Sequence, residues 1–77
     1  MECESWLRFA EDVAPEVAWD CADDGLGNVV LIASRRAPNG RAIHLMMLVH
    51  EPQLGPVPEA AEAIRALAED VKSEHAA

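Results

Sequence analysis

The chain alternates between two hydrophobic periods, and the places where the period changes mark its elements. From residue 2 to 14 the apolar positions Cys3, Trp6, Leu7, Ala10 and Val13 fall three and four apart, which predicts one helix with a single buried face. Pro15 ends it by pushing Ala14 out of helical backbone angles. Over residues 16–22 the period drops to two. Val17, Trp19 and Cys21 share one side and Glu16 and Asp20 the other, as on a half-buried strand. The run Asp23-Asp24-Gly25-Leu26-Gly27-Asn28 is a turn signal.

Residues 28–36 and 41–50 read as a hairpin around Ala37-Pro38-Asn39-Gly40. A two-residue Asn-Gly turn would set Pro38 where a ladder N–H is required. A type I turn over Pro38 and Asn39, with Gly40 in the left-handed region, avoids that loss. This turn fixes a register with Ala33 opposite Leu45, Leu31 opposite Met47 and Val29 opposite Val49. One face is then apolar throughout: Val29, Leu31, Ala33, Ile43, Leu45, Met47 and Val49. The other has an apolar centre, Val30, Ile32, Met46 and Leu48, between Asn28, Ser34, His44 and His50. A proline-rich connector, residues 51–58, leads to a second helix from Pro58 to about Ser73. Its inward stripe is Ala60, Ile64, Leu67, Ala68 and Val71.

The expected fold is therefore α+β in the order α-β-β-β-α. A three-stranded antiparallel sheet carries both helices on one face, in a single domain over residues 1–77. At 77 residues and 51% apolar composition the chain supports one core and no more. Its longest apolar runs, Val29 to Ala33 and Leu45 to Val49, are too short to cross a bilayer, so no membrane partner is expected. Met1-Glu2-Cys3-Glu4 lacks the charge and apolar block of a secretory leader, and the expected location is cytoplasmic.

Charge changes the picture most. Fourteen acidic and six basic side chains give −8, which excludes direct nucleic-acid binding through the phosphate backbone. Residues 1–27 hold eight acids and one base, residues 28–50 no acid and three arginines, and residues 51–77 six acids and two bases. The eight acids of the first segment are Glu2, Glu4, Glu11, Asp12, Glu16, Asp20, Asp23 and Asp24. Glu11 and Asp12 stand at the end of the helix where its dipole disfavours them, a local conflict that can mark a functional surface.

Catalytic and metal patterns fail on specific residues. Gly25-Leu26-Gly27 lacks the third glycine of a dinucleotide loop and precedes a strand instead of a helix. A calcium loop from Asp20 would have Ala22 and Leu31 at ligating positions. His44 and His50 lie six residues apart on one strand, roughly 20 Å, too far to share an ion. Cys3 and Cys21 both fall on buried faces; a bridge between them is geometrically open, but two reduced core thiols are the expected state. No enzyme, cofactor or metal is expected.

The order of elements, over nearly the whole chain, resembles the double-stranded-RNA-binding domain. That family meets phosphates with bases at the start of its last helix, where this chain has Glu59, Ala60, Ala61 and Glu62. The resemblance thus implies the fold with its charge reversed and RNA binding lost. The small acidic chain also resembles the inhibitors that bacteriophages encode against host defence, anti-CRISPR proteins among them. It implies a non-enzymatic, nucleic-acid-mimicking inhibitor acting in a host bacterial cell. Its partner would be a basic nucleic-acid-binding protein or complex, such as a CRISPR effector. The eight carboxylates named above would serve as surrogate phosphates. The alternative is a homodimeric adaptor or chaperone-like module that binds through the apolar sheet face of Val30, Ile32, Met46 and Leu48.

Overall fold

A computed structural model describes residues 2–50, 52, 55 and 57–73, except for the side chain of Glu2. The elements run α1 (Glu2–Val13), β1 (Ala18–Asp23), β2 (Val29–Arg36), β3 (Ala42–Val49) and α2 (Pro58–Ser73). The sheet is antiparallel in the order β1-β2-β3, and both helices lie on one face of it. This is the α+β arrangement that the two periods predict. The first strand begins two residues later than the alternation suggests, because Pro15 and Glu16 form a turn before the chain becomes extended.

The hairpin has the expected register: Val29 faces Val49, Leu31 faces Met47, and Ala33 faces Leu45. Its turn also follows the proline argument. Gly40 N donates to Ala37 O at 2.9 Å, and Gly40 takes a φ of 86°. Ala37 N then donates to Arg41 O at 2.8 Å and starts the ladder.

The core is the layer between the sheet and the helices. Leu31 in the central strand is fully buried, as are Ile64 and Val71 of α2. Trp6, Ala10 and Ala14 bring α1 down beside them. Two indoles hold the layer by their polar edges as well as their area. Trp6 Nε1 donates to Pro52 O at 3.0 Å across 46 residues, tying the connector to α1. Trp19 Nε1 donates to Ala14 O at 2.8 Å, satisfying a carbonyl beyond the end of that helix. Arg35, which projects from β2 on the helix side, donates from Nε to Val71 O at 2.5 Å and closes the last turn of α2.

The cysteines correct the expectation of two reduced thiols. Cys3 and Cys21 are joined, with their Cα atoms 5.9 Å apart. Because α1 runs antiparallel to β1, its first turn lies beside the end of the strand. Two positions that each read as merely core-facing are thereby brought together. Both are only partly buried. No described helix is long and apolar enough to cross a membrane.

Closing a loop between residues 18 apart in sequence restricts the unfolded chain and should contribute about 3 kcal/mol. Urea unfolding with and without reductant should therefore show a loss of about that size. Thiols that titrate freely in the folded, unreduced protein would contradict the bridge.

Candidate functional site

The structure divides the eight acidic positions among four places. Glu4, Glu11 and Asp12 lie on the solvent side of α1, opposite Trp6 and Ala10, and all are exposed. Glu2 begins the same helix. Glu4 lies 3.6 Å from Arg8 one turn away, a pair so open to water that it contributes only a few tenths of a kcal/mol. Glu16 is exposed in the turn after α1. It lies near enough to Lys72 to help raise that ammonium's pKa, although the hydrogen bond from Lys72 to Glu69 at 2.9 Å is the larger cause. Asp20 leaves β1 on the side away from Trp19, and so lies on the far face of the sheet from the helices.

Asp23 and Asp24 build the β1–β2 turn. Asp23 Oδ1 accepts from Gly25 N at 2.6 Å. Asp24 Oδ1 accepts from Leu26 N at 2.7 Å and Asn28 N at 3.1 Å, and its Oδ2 accepts from Asn28 Nδ2 at 3.0 Å. These bonds favour the ionised form, and the Leu26 N–H does most to pull the Asp24 carboxyl below its ordinary pKa. Gly25 and Gly27 supply the positive φ that the turn requires. Two of the expected contact residues thus hold a turn together while remaining exposed.

The eight acids read together as surrogate phosphates do not share one face, since Asp20 lies across the sheet from Glu4, Glu11 and Asp12. What the structure does share is a side: Glu59, Glu62, Glu69 and Asp70 are exposed on α2, and Glu4, Glu11 and Asp12 are exposed on α1, which touches α2 over the same face of the sheet. Sequence reasoning confined to the first 27 residues missed the α2 half. Its signal was that all four acids fall off the inward stripe of Ala60, Ile64, Leu67, Ala68 and Val71.

The opposite face differs in kind. It presents Val30 and Ile32, both half-buried, with Met46 at 67% exposure and Leu48 at 44%. His44 and His50 are exposed at its margins. Arg36 Nη1 donates to Gly40 O at 2.6 Å, so this hairpin arginine serves the turn. Where β3 meets the start of α2, a hollow of about 250 Å³ is lined by Trp6, Val49, His50, Val57 and Ala60, among others. Among the described residues no group of three or more His, Cys, Asp or Glu is placed to hold a metal ion.

No family model matches the chain, and neither a curated protein nor a solved structure matches it.

Because the folded-state pKa of Asp24 is depressed, its contribution to stability is present above the ordinary carboxylate range. It is lost as pH falls through the lower folded value. Asp24→Asn should flatten the acid limb of a melting-temperature profile between neutral pH and about pH 3, relative to wild type. Asp12→Lys should act in the opposite direction. A cation replacing an anion in the last turn of α1 should raise the melting temperature by about 3 °C in a thermal melt at low salt.

Proposed function

We propose that the chain is a non-enzymatic protein-binding module. Its acidic helical side occupies the basic surface of a nucleic-acid-binding protein and inhibits it by competition. The observation that carries this reading is the common side on which α1 and α2 lie. It puts the exposed Glu4, Glu11 and Asp12 on the same side of the sheet as the exposed Glu59, Glu62, Glu69 and Asp70, against only Arg8, Arg65 and Lys72 on the same helices. Carboxylates fixed on two packed helices present their charge with little ordering cost, and they compete directly for lysine and arginine rows.

The contact set differs from the eight residues of the sequence reading. Asp20 falls outside it because it faces the other way, and Asp23 and Asp24 extend its end through the β1–β2 turn. The target class implied by this chemistry is a basic complex that ordinarily holds nucleic acid. The phage-encoded, anti-CRISPR-like role in a bacterial cytoplasm is one form of it.

The test is capture from a bacterial lysate by wild type and by the triple reversal Glu4→Lys, Glu11→Lys, Asp12→Lys. These positions are exposed, so the variant should fold. The reading expects a basic protein retained at about 0.05 M salt, released by about 0.5 M salt, and absent from the variant. The same proteins retained by the reversed variant, or retention indifferent to salt, would overturn it.

A further inference from the structure

Among the described residues no strand pairs with the outer side of β1 or of β3, and these two edges are finished differently. Ala37 N donates to Arg41 O, so these two residues form a hydrogen-bonded pair. The register then continues unbroken along the hairpin. By this parity Ile43, Leu45, Met47 and Val49 turn their backbone groups toward β2. Ala42, His44, Met46 and Leu48 turn theirs toward the open edge of β3. On β1 the same counting leaves Trp19, Cys21 and Asp23 facing outward. There Asp20 Oδ1 accepts from Cys21 N at 2.8 Å, which occupies one outward donor with a carboxylate and sets a charge on the edge.

The β3 edge carries no such guard in its sequence. Ala42-Ile43-His44-Leu45-Met46-Met47-Leu48-Val49 has no proline, no acid, no lysine and no arginine over eight residues. Native edges are usually blunted by one of these. Its side chains are also incompletely covered on both faces. Met46 and Leu48 are exposed on the open face, while Leu45 and Met47 are half-buried under α2, as is Leu67 of α2 itself.

We propose that β3 pairs with β3 of a second copy, antiparallel and two-fold symmetric, to make a continuous six-stranded sheet. The self-complementarity of the strand argues for this occupant. Centred on Leu45, the pairing sets Ala42 opposite Leu48 of the other copy and His44 opposite its Met46. All four outward-facing residues of each strand are then satisfied, and each side chain keeps its own face of the sheet. Charge argues the same way. On a chain of net charge −8, this uncharged strip is where two copies can approach. The two-fold axis stands perpendicular to the sheet, so all four helices share one side. The proposal is independent of the functional reading, because its salt dependence has the opposite sign. Like-charged copies should associate more tightly as salt rises, whereas an acidic surface should lose a basic partner.

Sedimentation of the pure chain over about 10 µM to 1 mM should show mass rising toward twice 8.3 kDa. The midpoint should shift at least about fivefold lower in concentration between 0.05 and 0.5 M salt. Amide exchange at His44, Met46 and Leu48 should slow as concentration rises, while exchange at Trp19 and Cys21 should not. Met46→Pro removes an outward N–H without removing a bond to β2, and it should abolish the dimer. Should that variant fail to give a wild-type circular dichroism spectrum, Met46→Lys, at an exposed position, should raise the midpoint at least tenfold. A chain that stays monomeric at about 1 mM in high salt would overturn the proposal, and the edge would then belong to a foreign strand or to solvent. A dimer indifferent to Met46→Pro, or one without slowed exchange at the β3 edge, would also overturn it.

Discussion

Everything in this fold hangs on one sheet face being covered by two helices that the chain delivers from its two ends. A three-stranded sheet has no core of its own, and Leu31 in the central strand becomes buried only when α1 and α2 lie together over it. The ties that hold the helices there are correspondingly non-local. Trp6 bonds the connector at Pro52, Arg35 bonds the end of α2 at Val71, and Cys3 bonds the end of β1 at Cys21. Each joins a helix to a part of the chain that arrives from elsewhere in the sequence. A domain of this size buries only about 60% of its unfolded surface, so such ties are a large share of what keeps it folded.

Sidedness then follows from arithmetic. Two helices on one face must turn their polar stripes outward on that side, and the sequence has loaded those stripes with carboxylates. The uncovered sheet face receives the alternate positions of β2 and β3, whose central residues are apolar because both faces of this hairpin are built from aliphatic side chains. Topology therefore puts the helical carboxylates on one side and the exposed Met46 and Leu48 on the other, with Asp20 the exception that shares the sheet's open face. A linear tally of acids along the chain detects the excess charge but not this sorting.

That distinction marks what could be read from the chain. The hairpin register, the turn over Pro38 and Asn39 and both helices were legible, because each depends on local rules: period, proline's missing donor, and glycine at positive φ. The cysteine bridge was not, because it depends on where α1 comes to rest along β1, a distance no spacing encodes. Nor was the division of the acidic residues. Asp20 and Glu16 read as sharing the outer side of one strand, but β1 begins only at Ala18, which leaves Glu16 in the turn after α1 and Asp20 on the far face of the sheet. Asp23 and Asp24 resemble surface charge until their carboxylates are seen accepting from Gly25, Leu26 and Asn28. Arg35 resembles its neighbour Arg36, but only Arg35 points beneath α2, where it meets a helix-end carbonyl.

The bridge between the opening turn of α1 and β1 makes this domain's survival depend on its surroundings. In an oxidising compartment the first helix is covalently stapled to the sheet, and fraying from that end is suppressed. In a glutathione-buffered cell the same helix must stay docked through the packing of Trp6, Leu7, Phe9, Ala10 and Val13 and the indole hydrogen bonds at either end, with no covalent tie. Its occasional release would bare Leu31 and Ala33 to proteases, so turnover would follow the redox state of the compartment.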